Sequence, residues 1–290
     1  MNVELFKTLW GHSGSYTSAA DHAVEAGFQG FEGAIPVGGP ERAEFLEALS
    51  SRNLSYIAEI STTGFAVPTP GSTVEDHLEA FERIMARSLE ASPIFFSSMA
   101  GNDLWSFGDT VRFFAGAWEI AERYKVRVGF ETHRSRSLYH PIVTKNILRE
   151  LPQLELTLDL SHWCNVCERL VLDELPDVLD LVAKRALHIQ PRIGYDQGAQ
   201  VPDPRAPLYQ PALEAHLRWW RKVWQSQVER GFRRITLTPE FGPDGYLQVD
   251  PYTEEPVADL WELNQWAGHR VKDACEEYLA ESLSSFEAAP

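Results

Sequence analysis

The chain has 290 residues, 44% hydrophobic and 23% charged, a composition typical of a globular protein and not of a disordered chain. Its 26 Lys and Arg against 42 Asp and Glu give a formal net charge of −16, which disfavours nucleic acid and anionic membranes as partners. The sequence has no apolar run of membrane-spanning length and no signal-peptide pattern, so we expect a cytoplasmic protein.

Runs with the two-residue period of strands alternate along the chain with runs that have the 3.6-residue period of helices. The predicted strand and helix pairs are residues 4–10 and 16–26, 28–33 and 40–51, 54–59 and 74–89, 94–99 and 110–124, 127–131 and 142–151, 154–159 and 175–184, 186–190 and 211–230, and 235–240 and 257–282. Such alternation produces right-handed βαβ units and a parallel sheet.

Eight units in this length favour an α/β fold with a closed (β/α)₈ TIM barrel over an open doubly wound sheet. No glycine-rich nucleotide-binding motif follows any of the predicted strands. We therefore predict a single domain over residues 1–290, with a C-terminal helical segment at about 257–283.

Two segments rich in proline and glycine, residues 66–72 and 191–211, are predicted to be long loops on the active face. The second holds Arg192, Tyr195 and Arg205, and it is longer than a connection from strand to helix requires. We expect it to close over a substrate as a lid.

Predicted strands five to eight end in residues that can bind a metal ion, namely Glu131, Asp159, His188 and Glu240. In a barrel the C-terminal ends of all strands meet on one face, so these four side chains would share one mouth. Any single acid here can be read instead as a cap of the following helix. Three carboxylates and one imidazole on successive strands favour a divalent ion such as Mn²⁺, Mg²⁺, Co²⁺ or Zn²⁺.

Four short motifs carry a family resemblance: ETH at 131–133, DLSH at 159–162, HIQ at 188–190 and TPEFGP at 238–243. With them the chain resembles the xylose isomerase-like TIM-barrel superfamily of sugar isomerases, ketose 3-epimerases, inosose dehydratases and endonuclease IV. The resemblance implies one divalent metal, most commonly manganese, bound by Glu131, Asp159, His188 and Glu240. It also implies that Glu131 and Glu240 are the catalytic acid and base, and that His162 contacts a substrate hydroxyl.

Two positions depart from the pattern of the ketose 3-epimerases. Ser137 stands where those enzymes carry a further substrate-binding glutamate, and Gly194 stands where they carry an arginine, although Arg192 is close by. The resemblance therefore does not imply the substrates of those epimerases.

Further candidates for contact with a substrate lie beside the predicted strand ends. They are Trp10, His12, Trp105, His133 and Arg192. The alternative for the aromatic residues is packing at the barrel rim, and for the histidines it is support of neighbouring side chains. Glu32 and Glu59 also end strands, but nothing in the sequence distinguishes them from ordinary hydrogen-bonded groups, so we place them outside the predicted site. We interpret the lone CxxC of Cys164 and Cys167 as structural or incidental thiols.

The sequence thus predicts a metal-dependent isomerase or epimerase of a small sugar or polyol, working by proton abstraction beside a carbonyl through an enediolate. A lyase that uses the same abstraction, as inosose dehydratases do, remains open. A metal-dependent endonuclease is disfavoured by the net charge. A barrel that binds a sugar without turnover is disfavoured because it would not need the complete set of acids, and all of them are present. A homo-oligomer is also open.

Overall fold

Eight parallel strands form a closed barrel in the computed structural model, which describes residues 1–243 and 245–287, with side chains up to residue 282. The strands are β1 Asn2–Thr8, β2 Gly30–Gly33, β3 Ser55–Ser61, β4 Phe95–Met99, β5 Val128–Glu131, β6 Glu155–Leu158, β7 Ala186–Ile189 and β8 Arg234–Leu237. Each strand pairs with the next along the chain, and β8 pairs with β1. The predicted (β/α)₈ barrel is confirmed.

Helices surround the barrel. They are α1 Tyr16–Glu25, α2 Gly39–Ser51, α3 Val74–Ser88, α4 Phe107–Tyr124, α5 Pro141–Glu150, α6 Ser161–Val166, α7 Pro176–Ala183, α8 Gln210–Glu229 and α9 Leu260–Glu287. The hydroxyls of Ser15, Thr73 and Ser106 accept hydrogen bonds from the first turns of α1, α3 and α4, which fixes where those helices begin. Within residues 1–243 and 245–287, no helix is both long and apolar enough to cross a membrane.

Side chains alternate between the barrel interior and the helix layer, as the two-residue period of a strand requires. Phe6, Ile57, Phe95 and Leu187 form a small apolar cluster apart from the main core. Glu32, Glu59 and Glu131, on β2, β3 and β5, are also buried but polar. The barrel therefore has an apolar interior cluster and a separate set of buried acids at the ends of its strands.

The pairing of β6 with β7 contains an irregularity. Leu156 pairs with Ala186 and Thr157 pairs with His188, so Leu187 is passed over. The backbone N–H of Gln190 donates to the carbonyl of Leu158 at 3.0 Å. Two residues beyond the pair of Thr157 and His188, the same register places Asp159 level with Gln190. His188 therefore lies about 6–7 Å deeper in the barrel than Gln190, measured along the strand.

The long loop after β7 packs against the barrel mouth. Ile193 and Val201 are fully buried, and a Cβ on Gly194 would approach the backbone of Ser161 to 2.5 Å. The amide of Gln200 accepts from the N–H of Gly242 at 2.8 Å and donates to its carbonyl at 3.3 Å. These parts of the loop therefore pack against the mouth and are joined by hydrogen bonds to the segment after β8, and closure of the loop over a substrate stays a prediction.

Candidate active site

Three carboxylates converge at the C-terminal ends of the last strands. Glu131 is the final residue of β5, Asp159 follows β6, and Glu240 lies three residues beyond β8. All three are buried, and one oxygen from each lies within 4.8 Å of the others. Glu131 and Glu240 also line a narrow pocket together with Glu59. The structure thus brings together three of the four predicted metal ligands.

The electrostatics of these acids are strongly perturbed. Burial raises the pKa of both Glu131 and Glu240 well above the usual range, and repulsion from Asp159 and from Glu131, respectively, adds to the effect. Burial and the charge of Glu32 raise the pKa of Glu59 to about 7. The Oε1 atom of Glu131 has no hydrogen-bond partner. The surroundings therefore stabilise the ionised forms of these acids poorly.

Arg192 supplies the nearest positive charge. It is 1% exposed; its Nη2 donates to Oδ2 of Asp159, and its Nε donates to the hydroxyl of Ser161 at 3.2 Å. The guanidinium carbon lies 4.8 Å from the ring centre of Tyr246 and 5.6 Å from that of Trp10. Its Nη1 has no hydrogen-bond partner. Arg192 is thus held rigidly, with one donor left for a ligand.

Asp159 is oriented from both sides. Its Oδ1 accepts from the backbone N–H of Ser161 at 3.0 Å and from the Ser161 hydroxyl at 2.5 Å, while Oδ2 pairs with Arg192. Burial raises the pKa of Asp159, and the charge of Arg192 opposes that rise. The carboxylate is therefore fixed in position before any ligand binds.

Two buried histidines lie beside the acids with their rings 4.0 Å apart. Burial lowers the pKa of both His133 and His162 well below the usual range, and Arg192 adds to the lowering, so both rings are neutral. Nδ1 of His133 faces the carbonyl of Arg134, which can only accept, so Nε2 of His133 is an acceptor. Nε2 of His162 faces Nη2 of Arg192 at 2.6 Å, which can only donate, so the unpartnered Nδ1 of His162 carries a proton.

The acids outnumber the positive charges at this end of the barrel. Its buried carboxylates are Glu32, Glu59, Glu131, Asp159 and Glu240. The buried guanidiniums that act on them are Arg136 and Arg192. Buried charge needs a partner, so in the described part of the chain this surplus fits a divalent cation.

Two groups of side chains within residues 1–243 and 245–287 have ligand atoms close enough to share an ion. One is Glu131, Asp159 and Glu240, and the other is Glu131, His133 and His162. In the second group one nitrogen of His162 is engaged by Arg192 and the other is protonated, so that ring does not ligate as it stands. The three carboxylates are the better fit, and their oxygens suit a hard divalent ion.

A family model described as xylose isomerase-like TIM barrel matches residues 20–223. The chain belongs to this family. A search of curated proteins finds no match.

Solved structures of xylose isomerase-like barrels and related proteins share the fold. An L-ribulose 3-epimerase superimposes with a TM-score of 0.64 at 12% identity, covering 100% of both chains. A xylose isomerase-like TIM barrel protein from Mycobacterium smegmatis in complex with magnesium gives 0.64 at 10% identity, covering 95% of this chain and 97% of that one. Endonuclease IV from Thermus thermophilus gives 0.57 at 14% identity, covering 96% and 100%. At these identities the likeness concerns the fold.

Within this xylose isomerase-like barrel, the structure does not bring His188 to the three carboxylates. Its Nδ1 bonds the hydroxyl of Thr236 at 2.8 Å, and its Nε2 lies 2.9 Å from Oε2 of Glu32 and 3.0 Å from the hydroxyl of Thr238. Its ring centre is 5.4 Å from that of Phe95, in the apolar interior cluster. His188 is therefore engaged by Glu32, Thr236 and Thr238 and is not grouped with the three carboxylates.

The predicted substrate contacts are divided between the pocket and its surroundings. Trp10, His133 and Arg192 line the pocket, and His162 lies directly behind His133. His12 instead bonds the carbonyl of Ser15 at 3.1 Å and lines a separate hollow outside the barrel mouth. The ring of Trp105 packs against His77 and Phe113, with centroids 4.6 and 5.6 Å away. Neither His12 nor Trp105 contacts the pocket.

Glu32, Glu59 and Gln190 belong to the site although the sequence interpretation left them out. Glu59 lines the pocket beside Glu131, while Glu32 accepts from the Gln190 amide at 3.0 Å. Burial alone would raise the pKa of Glu32, but His188 and neighbouring hydroxyls lower it. The sequence places both glutamates at or near the ends of predicted strands, as it does Glu131, Asp159 and Glu240, so the same signal is present for all five acids.

Proposed function

We propose that this protein is a divalent-metal-dependent isomerase or epimerase of a small sugar or polyol. The observation that carries the proposal is the pair Glu131 and Glu240, buried in one pocket with their pKa values raised. A general acid or base works best when its pKa is near the working pH, which for a carboxyl group requires such a rise. With two carboxyl groups of this kind, one can remove a proton from one face of a carbon, and the other can return a proton to the opposite face or to a neighbouring atom.

Unpartnered polar atoms around the pocket support an oxygen-rich substrate. Nη1 of Arg192 is an unpaired donor, and Oε1 of Glu131 is an unpaired acceptor. Nε2 of His133 adds a second acceptor, because its Nδ1 is turned to a carbonyl. Hydroxyl and carbonyl oxygens of a sugar can satisfy all of these groups, whereas an apolar ligand would leave them buried and unpaired.

Three aromatic residues form part of the pocket wall. Trp10, Phe65 and Tyr246 line it, and the ring centres of Trp10 and Tyr246 are 5.1 Å apart in an edge-on contact. Excluding water strengthens the interactions of the charges inside and prevents loss of a reactive intermediate. These rings also suit the apolar face of a sugar ring.

Glu131, Asp159 and Glu240 would hold the metal, with manganese as the first expectation and magnesium, cobalt or zinc as alternatives. When bound, the ion would polarise the substrate carbonyl and make the adjacent C–H more acidic. One glutamate then takes the proton and becomes a carboxylic acid, and the other gives up its proton to the carbon or oxygen that receives it. Arg192 pairs with Asp159 and opposes the rise of its pKa.

A solvent-deuterium exchange screen over sugars and polyols tests this function, with the protein loaded in turn with Mn²⁺, Mg²⁺, Co²⁺ and Zn²⁺. We expect metal-dependent incorporation of deuterium next to the carbonyl of one substrate class. Glu131→Gln and Glu240→Gln should each abolish net conversion to product, because an amide cannot carry the proton. Glu119→Gln, on the exposed face of α4, is the matched control and should keep full activity.

Two results would count against the proposal. Normal turnover in either active-site variant would exclude the mechanism with two glutamates. Exchange followed by a product lighter by one water would identify a lyase in place of an isomerase or epimerase.

A further inference from the structure

Strand β7 presents two polar side chains to the barrel interior, His188 and Gln190. They are two residues apart, so both face inward, but they lie at different depths. The register pairs His188 with Thr157, and it leaves Gln190 level with Asp159. Glu131 also pairs with Thr157, so the backbone register alone permits either residue to reach the carboxylates, and the contacts of the two side chains decide between them.

His188 is already fully engaged in its own layer. Both ring nitrogens have partners, in Thr236 on one side and Glu32 and Thr238 on the other. Moving its Nε2 to an ion at the carboxylates would break the contact with Glu32, which is 1% exposed and would be left buried without that partner. The barrel interior therefore holds His188 away from the acids.

Gln190 has the opposite arrangement. Its Nε2 donates to Oε1 of Glu32 at 3.0 Å and faces Oε1 of Glu240 at 3.4 Å. Both neighbours are carboxylate oxygens, so the amide is oriented with its nitrogen toward them and its oxygen turned away. That oxygen is buried, in a side chain 1% exposed, and it has no hydrogen-bond partner. This unpaired acceptor belongs to a side chain that contacts Glu240 of the acid cluster, and an ion bound within its reach would satisfy it.

We propose that Gln190, and not His188, is the residue of β7 that binds the divalent ion, through its amide oxygen. This inference rests on the proposed metal-dependent function. The ion would then have four oxygen donors, from Glu131, Asp159, Glu240 and Gln190, and no imidazole. Oxygen donors alone favour Mg²⁺ and Mn²⁺, whereas zinc binds tightly where nitrogen or sulfur donors are present.

The test is a titration of the chelator-treated protein with Mn²⁺, in which calorimetry and electron paramagnetic resonance measure the binding. Gln190→Ala should weaken Mn²⁺ binding about tenfold or more, and His188→Gln should leave the dissociation constant within about threefold. Gln227→Ala, which removes another buried amide whose partner is the carbonyl of Leu187, is the matched control and should not change it. Asp159→Asn should abolish binding.

The spectrum of the bound Mn²⁺ gives a reading that does not depend on the stability of any loss-of-ligand variant. The wild-type protein should show no directly bound imidazole nitrogen, and Gln190→His should introduce one. An imidazole signal in the wild type that disappears in His188→Gln would overturn the inference, as would full Mn²⁺ affinity in Gln190→Ala.

The controls separate this inference from the proposed function. If Asp159→Asn loses Mn²⁺ but Gln190→Ala retains it, the metal centre stands and only the role of Gln190 is refuted. If the wild-type protein binds no Mn²⁺, both the metal-dependent function and the role of Gln190 fail.

Discussion

Replacing Glu59 with glutamine should stabilise the metal-free protein, and more so as the pH rises. The pKa of Glu59 is raised from 4.5 to about 7, mainly by burial and then by the charge of Glu32. A carboxyl group whose pKa is raised on folding costs nothing below about pH 4.5, where it is protonated in both states. The cost grows between about pH 4.5 and pH 7, where the unfolded chain is ionised and the folded chain is not, and it levels off above about pH 7.

The size of the effect follows from the two pKa values. A tenfold difference in proton affinity corresponds to about 1.4 kcal/mol, so ionising Glu59 costs the folded protein about 3 kcal/mol at pH 8 and less than about 1 kcal/mol at pH 5. Glutamine has the same shape and keeps an oxygen for the Ser61 hydroxyl, which lies 3.4 Å from Glu59. The substitution therefore removes the charge with little change in packing.

Urea denaturation at pH 5 and pH 8, in the presence of a chelator, measures this difference. We expect the stability advantage of Glu59→Gln over the wild type to increase by about 2 kcal/mol between the two pH values. Glu119→Gln, at an exposed position, should show the same small difference at both. An advantage that is equal at pH 5 and pH 8, or a variant less stable at pH 8, would refute the reasoning.

Three further predictions concern the packing of the mouth and the metal. Gly242→Ala should destabilise the protein by about 1–3 kcal/mol, because its Cβ would lie 2.0 Å from the ring of Trp10; thermal unfolding should show no comparable loss for Gly38→Ala, which meets open space. Asn264→Ala should cost about 1–3 kcal/mol in urea denaturation, because Asn264 bonds both the N–H and the carbonyl of Phe241, and an unchanged midpoint would disprove that role. Mn²⁺ should raise the melting temperature of the wild type less at pH 5 than at pH 8, since protons compete for Glu131 and Glu240; a shift independent of pH would contradict their part in binding.

The fold could be read from the sequence because its signal is repeated eight times. Each strand and helix pair carries its own hydrophobic period, and the ends are mostly displaced by only a few residues. The last strand ends at Leu237, so Glu240 stands in the connection beyond it. Helix α6 was missed because six residues, SHWCNV, are too few to show a helical period.

The site could be read only in part. Glu131, Asp159 and Glu240 were expected together because strand ends converge in a barrel, and they do. His188 and Gln190 have the same alternation in sequence, and their depths depend on the irregular pairing that passes over Leu187, which no local pattern records. The direction in which a loop side chain points also cannot be predicted from a local sequence pattern. For this reason the sequence predicts His12 and Trp105 in a pocket that they do not enter.

Arg192 gives the protein a cation of its own at the position where a metal is expected to bind. Its guanidinium is paired with Asp159 inside the barrel, and its pKa is raised further by that pairing despite its burial. A protein that has lost its ion is therefore not left with a bare charge at Asp159, and its empty state should persist and reload instead of collapsing. In the same contact Arg192 competes with the metal ion for the carboxylate of Asp159. Binding of the ion would therefore require Arg192 to share or release an oxygen of Asp159, and this rearrangement should make metal binding slower than diffusion of the ion into the pocket.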